Sequence, residues 1–157
     1  ISTAGIANKI PEAAREIGTY LALSLHAPTD NIREMIMPIN KKFKIKDLIK
    51  QCKYYSSVIK EKITLEYVML RGINDSTECA HQLVKLMAQF PCKVNLIEFN
   101  PWPGVQYLPT ERIEMEKFGK IIQNAGYVAT IRRSRGQDIL GACGQLKTES
   151  LKLKADK

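Results

Sequence analysis

The sequence lacks any apolar run near the roughly 20 residues that would cross a bilayer, and its first residues lack the basic-then-apolar layout of a signal peptide. It also shows neither an internal repeat nor a low-complexity segment. The 157 residues are 45% hydrophobic and 25% charged, which is sufficient to bury a core. We therefore expect one globular domain, located in the cytoplasm and without a membrane partner.

Closely spaced cysteines are also missing. The four cysteines, Cys52, Cys79, Cys92 and Cys143, have none of the short spacings of a zinc or iron–sulfur site. The first three fall on apolar helix faces or in a buried strand, so we interpret them as small core residues. Cys143 differs because glycines flank it in ILGACGQLKTES (139–150), which leaves the thiol accessible. No metal ligands are predicted within this chain.

Acidic residues are scarce relative to basic ones. The chain has 16 Asp and Glu against 24 Lys and Arg, which gives a net charge of +8. An excess of this size favours a polyanionic partner such as RNA or DNA.

Apolar runs bounded by turn residues predict four strands, near residues 20–27, 62–70, 92–100 and 126–133. Helical periodicity predicts helices near 31–37, 46–60, 75–90 and 110–124, a weaker one from about Pro11, and another from about Gln137 past Cys143. ISTAG at the start reads as the end of a fifth strand. Alternating strands and helices predict a parallel α/β sheet, and about five strands are too few to close an eight-stranded barrel. We therefore expect a fragment, whose unpaired strand edges favour self-association.

Polar residues cluster where the predicted strands end. Ligands of parallel α/β proteins bind at the carboxyl ends of the strands, so five segments should line one rim. They are Ser2–Gly5, Ser24–Pro28, Arg71–Asp75, Glu98–Gly104 and Arg132–Gly136. Taken singly, each has a structural alternative: His26 could be a hydrogen-bonded structural residue, Asn100 a turn residue before Pro101, and the arginines a solvated surface.

Several motifs occur together and in order: STAG, SLHAP, PINKK, ITLEYVML followed by IND-ST, PCKVNLIEFNPWPG and RRSRGQDILGACGQL. In this order they resemble the C-terminal portion of the radical S-adenosylmethionine (SAM) RNA methyltransferases that act on adenine C2 in 23S rRNA and in some tRNAs. The resemblance covers residues 1–147, and 148–157 form a polar tail. It implies a partial (β/α) barrel of the radical SAM type with about five parallel strands and flanking helices.

The resemblance also implies functional residues. Ser2, Ser24, Leu25, His26 and Asn100 match the family's SAM contacts, and Cys143 matches its catalytic methyl carrier. In this family the carrier thiolate is methylated by one SAM. A second SAM, cleaved by a 4Fe-4S cluster that takes electrons from an external donor, generates the radical that activates the S-methyl group.

The base must be extruded to reach such a carrier, and small neighbours would let it approach. The arginines at 132, 133 and 135, with Lys41 and Lys42, would hold flanking phosphates.

The family's Cys-x3-Cys-x2-Cys cluster motif, its second catalytic cysteine, its proton-accepting glutamate and its N-terminal accessory domain have no counterparts here. We therefore expect the fragment alone to be inactive. Two alternatives stay open: methylation at adenine C8 by a sibling activity, and a non-catalytic RNA-binding α/β module.

Overall fold

A computed structural model describes residues 1–16 and 18–133 of the chain. Its sheet has five parallel strands paired in chain order: β1 (Ser2–Thr3), β2 (Ala22–Ser24), β3 (Ile63–Met69), β4 (Cys92–Glu98) and β5 (Ala129–Arg132). Consecutive parallel strands linked by helices form part of a (β/α) barrel, so the predicted fold class is confirmed.

The helices lie close to their predicted positions: α1 (Ile10–Glu16), α2 (Asp30–Ile36), α3 (Ile45–Ile59), α4 (Thr77–Met87) and α5 (Arg112–Asn124). Short 3-10 turns at Ala7–Lys9 and Pro38–Lys41 precede α1 and α3. The hydroxyl of Ser76 accepts a hydrogen bond from the Cys79 amide at 3.1 Å, which makes Ser76 the N-cap of α4.

Strand β3 shows how the sheet divides into two faces. Ile63, Leu65, Tyr67 and Met69 are at most 1% exposed and belong to the hydrophobic core shared with the helices. The residues between them are only half-buried, because they point away from the helices. We call this uncovered side of the sheet the open face.

Strand β2 is shorter than the apolar run 20–27 suggests. After Ser24 the amides of both Leu25 and His26 donate to the Glu66 carbonyl, at 3.0 and 3.2 Å. His26 then takes a φ of 57°, which turns the chain out of the sheet. The strand therefore ends at the position where the sequence predicts a ligand rim.

The outer strands of the described sheet are β1 and β5, so the expected self-association through strand edges remains a prediction. Among the described helices, none is long and apolar enough to span a membrane. Cys143, the arginine at 135, the helix predicted from about Gln137 and the tail 148–157 lie outside the described residues.

Candidate functional site

Four of the five residues predicted to contact SAM are available at the ends of the strands. Ser2 is exposed on β1, Ser24 is half-buried at the end of β2, His26 follows two residues later, and Asn100 is half-buried just beyond β4. Because the strands are parallel, these ends share one edge of the sheet. These four residues of the predicted rim therefore lie along one edge of the sheet, and their contact with SAM stays a prediction.

Leu25 is placed differently from its neighbours. Its side chain is fully buried in the core. Its amide donates to the Glu66 carbonyl, and its own carbonyl accepts from the Arg33 Nε at 3.0 Å. Leu25 can therefore support the rim, while its side chain faces the core.

His26 is held by two hydrogen bonds to neighbouring segments. Its Nδ1 accepts from the Val68 amide at 3.1 Å, and its carbonyl accepts from the Asn74 Nδ2 at 2.7 Å. Burial, reinforced by the positive charge of Arg33, lowers the pKa of His26 to about 4. The ring is therefore neutral at pH 7, and with Nδ1 accepting, its proton resides on Nε2 as a donor. His26 is therefore a hydrogen-bonded structural residue, and its Nε2 could in addition donate a hydrogen bond to a ligand.

Arg33 on α2 is the largest fully buried side chain of the described structure, and its guanidinium connects two segments of the rim with the 3-10 turn that contains Asn40. Its Nη2 donates to the Ala4 carbonyl at 2.9 Å and to the Ser24 carbonyl at 3.0 Å. Its Nε donates to Leu25, and its Nη1 donates to the Asn40 Oδ1 at 3.0 Å. One side chain therefore sets the positions of the ends of β1 and β2.

Asn74 performs a similar task on the other side of His26. It is fully buried, its Oδ1 accepts from the Leu70 amide at 2.8 Å, and its Nδ2 donates to the carbonyls of His26 and Val68 at 2.7 and 2.8 Å. Both N–H groups of this amide and its oxygen therefore take part in hydrogen bonds. The loop after β3 is consequently fastened to the loop after β2.

The open face carries a row of polar side chains that the strand register brings side by side. Ser24 pairs with Glu66, Glu66 with Asn95, and Asn95 with Thr130. The Asn95 Nδ2 donates to the Glu66 Oε1 at 3.0 Å, and the Thr130 hydroxyl donates to the Asn95 Oδ1 at 2.5 Å. Within the described part of the chain Glu66 forms no ion pair, so its carboxylate keeps acceptor capacity for a ligand.

An apolar pocket of about 170 Å³ lies at the rim beside this row. Its lining includes His26, Val68, Leu70, Phe99, Trp102 and Tyr107. Phe99 and Trp102 meet edge to face with centroids 5.6 Å apart, and Trp102 is 43% exposed. Apolar and aromatic walls beside a few polar groups are typical of a site for a flat heterocycle.

The described cysteines do not fit an iron–sulfur cluster. Cys52, Cys79 and Cys92 are buried on α3, α4 and β4, and no group of three potential metal ligands occurs among the described residues. Burial raises the pKa of the Cys52 and Cys92 thiols to about 12, whereas a cluster requires thiolates. Their burial agrees with the interpretation as core residues.

The candidate phosphate contacts fall in two places. Arg132 and Arg133 are exposed at the end of β5, whereas Lys41 and Lys42 are exposed after α2. Strands β3 and β4 separate β5 from β2, which precedes the lysines. They could therefore serve two different parts of a nucleic acid.

Sequence reasoning missed Arg33 and the Glu66–Asn95–Thr130 row, and it placed Asn74 in the rim segment Arg71–Asp75 without giving it a role. Arg33 reads as one more polar residue of an amphipathic helix, and its burial follows from tertiary contacts alone. Glu66 was detectable in principle, because a charge within the alternating strand ITLEYVML must lie on the face opposite the core. Its partners depend on strand register, which the sequence does not reveal.

Comparison with solved structures defines the class of protein. A radical SAM methyltransferase from Sphaerobacter thermophilus superposes with a TM-score of 0.88 at 39% identity, over 92% of this chain and 42% of that chain. A domain of pyruvate-formate lyase-activating enzyme from Bacteroides vulgatus shares only the fold, with a TM-score of 0.66 at 13% identity over 83% of this chain and 78% of that one. The fold is therefore that of the radical SAM enzymes.

Curated relatives narrow the class to a family. Proteins named dual-specificity RNA methyltransferase RlmN are 50% identical over 98% of this chain in Agrobacterium fabrum and 49% identical over 99% in Methylocella silvestris. The chain spans 38% and 39% of the length of these two relatives. No family model matches it. Over the part that it spans, the chain is therefore similar to RlmN proteins, which confirms the resemblance.

We predict that Gly5→Ala destabilises the protein by about 1–3 kcal/mol. Gly5 has a φ of 101°, and a Cβ there would lie 2.8 Å from the Arg33 Nη2 and 3.2 Å from Leu48. Urea denaturation measures the cost. Gly126→Ala is the control, because Gly126 has a φ of 93° and nothing within 4 Å of the added Cβ. Equal losses for both variants would show that crowding against Arg33 is unimportant.

We further predict that His26 makes the stability of the folded protein sensitive to acid. Its folded pKa of about 4 lies below the usual 6.5, so between these values the unfolded chain binds more protons. Stability present above pH 6.5 should therefore decline toward pH 4, by at most roughly 3 kcal/mol. His26→Asn keeps an acceptor for the Val68 amide and tolerates positive φ, yet does not titrate. Urea titrations from pH 4 to 7 should show a weaker pH dependence in this variant, and an unchanged one would contradict the assignment.

Proposed function

We propose that the whole protein is a radical SAM enzyme that methylates adenine C2 in 23S rRNA, and also in tRNA, using Cys143 as methyl carrier. The observation that carries this proposal is the near-50% identity to RlmN proteins over almost the whole chain. The name of those relatives, dual-specificity RNA methyltransferase, supports RNA as substrate. The net charge of +8 agrees with a polyanionic partner.

The described rim fits SAM. We propose that Ser2, Ser24 and Asn100 offer short polar groups to it, that the neutral His26 donates from Nε2, and that Leu25 supports them through its backbone. The apolar pocket beside His26 would receive the adenine ring. Of two SAM molecules used in turn, one would supply the methyl group and the other the reactive adenosyl group.

The 4Fe-4S cluster is a different case. Because the described cysteines do not fit it, we propose that its ligands belong to a part of the whole protein outside this chain, together with the contact to an external electron donor. The domain assignment follows: residues 1–147 form the C-terminal part of the barrel domain, and 148–157 form a polar tail. This chain alone would then be inactive.

We propose that Glu66 also takes part in binding SAM. Glu66 pairs with Ser24 in the register of β2 and β3, and its Oε1 accepts a hydrogen bond from the Asn95 Nδ2 at 3.0 Å. It lies two residues before Val68, a pocket-lining residue, and therefore roughly 6–7 Å along the strand from the pocket wall. A carboxylate at that distance can accept hydrogen bonds from sugar hydroxyls of a nucleoside whose base occupies the pocket.

We predict that Ser24→Ala, Asn100→Ala and Glu66→Gln each weaken SAM binding roughly 2- to 10-fold, the size of one lost hydrogen bond. Isothermal titration of the whole protein with SAM provides the readout independently of catalysis. Ser57→Ala is the matched control, because Ser57 is exposed on α3, outside the rim. Unchanged affinity in all three rim variants would place the SAM site elsewhere.

We predict that Cys143→Ala abolishes methyl transfer to RNA in the whole protein, because alanine cannot form a methyl thioether. Cys52→Ala should keep the chemistry and lose about 1 kcal/mol of stability, since Cys52 is a small, fully buried side chain. Peptide mass spectrometry should find the added methyl mass on Cys143 alone. Methyl transfer by Cys143→Ala would refute the carrier role.

Chromatography of the digested RNA product distinguishes the remaining alternatives. A product that comigrates with 2-methyladenosine supports the proposal, and 8-methyladenosine identifies the sibling activity. Tight RNA binding without SAM binding or methyl transfer would instead indicate a non-catalytic RNA-binding module.

A further inference from the structure

A groove runs along the outside of the helical layer, away from the rim pocket. It consists of two cavities of about 390 Å³ each, which share Lys53 and Gln89 in their walls. One wall is α3, and the other is the end of α4 with the loop that follows it. The groove exists because α3 packs mainly on α1 and α4 on α5, so few direct contacts join α3 to α4.

Four lysines line this groove, at positions 46, 50, 53 and 60. Spacings of four, three and seven residues place them on one face of α3 and its C-cap, over an axial length of roughly 21 Å. All four side chains are exposed. We call this feature the lysine groove.

The charge of the lysine groove is almost uncompensated. Within the described part of the chain, none of its lysines forms an ion pair. Asp30 at one end is its single acidic lining residue, and the Asp30 Oδ1 already accepts from the Ile45 amide and the Asn40 Nδ2, each at 2.9 Å. A row of positive charges beside a groove thus remains free for an anionic partner.

One end of the lysine groove adjoins a rim segment. This end is lined by Pro28, Thr29 and Asp30, and Pro28 is the last residue of the rim segment Ser24–Pro28. A polymer whose reacting unit lies at the rim could therefore continue down the outside of the protein between α3 and α4. A small anion would need neither this length nor this regular spacing of charges.

We propose that the lysine groove binds the sugar-phosphate backbone of the substrate RNA, at a distance from the base that is modified. This inference rests on the proposed function, because it takes RNA to be the substrate. Lysines bind phosphates as point charges without reading bases, so the groove contributes affinity and orientation and leaves the choice of adenine to the rim. It is a further contact, distinct from Lys41 and Lys42 and from the arginines at the end of β5.

The experiment compares two double variants of the whole protein that remove the same charge. Lys50→Gln with Lys53→Gln alters the lysine groove, whereas Lys85→Gln with Lys120→Gln alters exposed lysines of α4 and α5 outside it. Fluorescence anisotropy measures the affinity for a labelled RNA stem-loop with an unpaired adenosine, at several salt concentrations. Titration with SAM checks that each variant retains a folded rim.

The groove variant should bind RNA about tenfold more weakly. The slope of the logarithm of its association constant against the logarithm of the salt concentration should become shallower by about 0.7–0.9 for each lysine removed. The control variant should change much less, and Lys50→Arg with Lys53→Arg should keep the affinity because the charges remain. SAM affinity should be unchanged in all three.

Equal losses in the groove and control variants would overturn the inference, since a general charge effect would then explain binding. A groove variant that keeps its RNA affinity but loses binding to polyglutamate would overturn it in favour of an acidic protein partner. Failure of the unaltered protein to bind RNA at all would refute the proposed function as well, so the two failures are distinguishable.

Discussion

The rim of this protein depends on the buried guanidinium of Arg33. It donates to the carbonyls of Ala4, Ser24 and Leu25, which end β1 and β2, and to the side chain of Asn40. These carbonyls lie where the parallel ladder stops, so without Arg33 they would lose this donor, and the cost would be largest for the buried carbonyl of Leu25. The planar fork of arginine reaches several acceptors at once, which the single ammonium of lysine could not do. The ends of two strands are therefore positioned by one side chain from a helix.

A fully buried cation is costly, and the surroundings of Arg33 show how the cost is offset. No carboxylate of the described residues forms an ion pair with it, and burial lowers its pKa, while the charge of Asp30 acts in the opposite direction. Uncharged oxygens accept its hydrogen bonds instead. Gly5 leaves room for the guanidinium, because any Cβ there would clash with Nη2. The glycine of the STAG motif thus has a steric reason that the sequence alone does not disclose.

Much of the fold was accessible from the sequence because it rests on local patterns. The alternation in β3, the Ser76 cap and the periodicity of α3 and α5 each specify an element within one or two residues. The ends of β2 were less predictable, since they depend on the conformation of His26 and on a carbonyl of β3. The roles of Arg33 and Asn74 could not be foreseen, because both rest on hydrogen bonds to segments distant in sequence.

The two faces of the sheet contribute differently to the stability of the fold. The covered face, with Leu23, Leu65, Val94 and Leu96 fully buried, contributes hydrophobic stabilisation at roughly 25 cal/mol per Å² of apolar area removed from water. The open face carries Ser24, Glu66 and Asn95, which contribute little of this kind. The Glu66 carboxylate, half-buried without an ion pair among the described residues, stabilises the fold less than an apolar side chain packed at the same place would. Polar residues on this face are therefore better explained by the chemistry of a ligand than by folding, and changes there should affect binding before they affect stability.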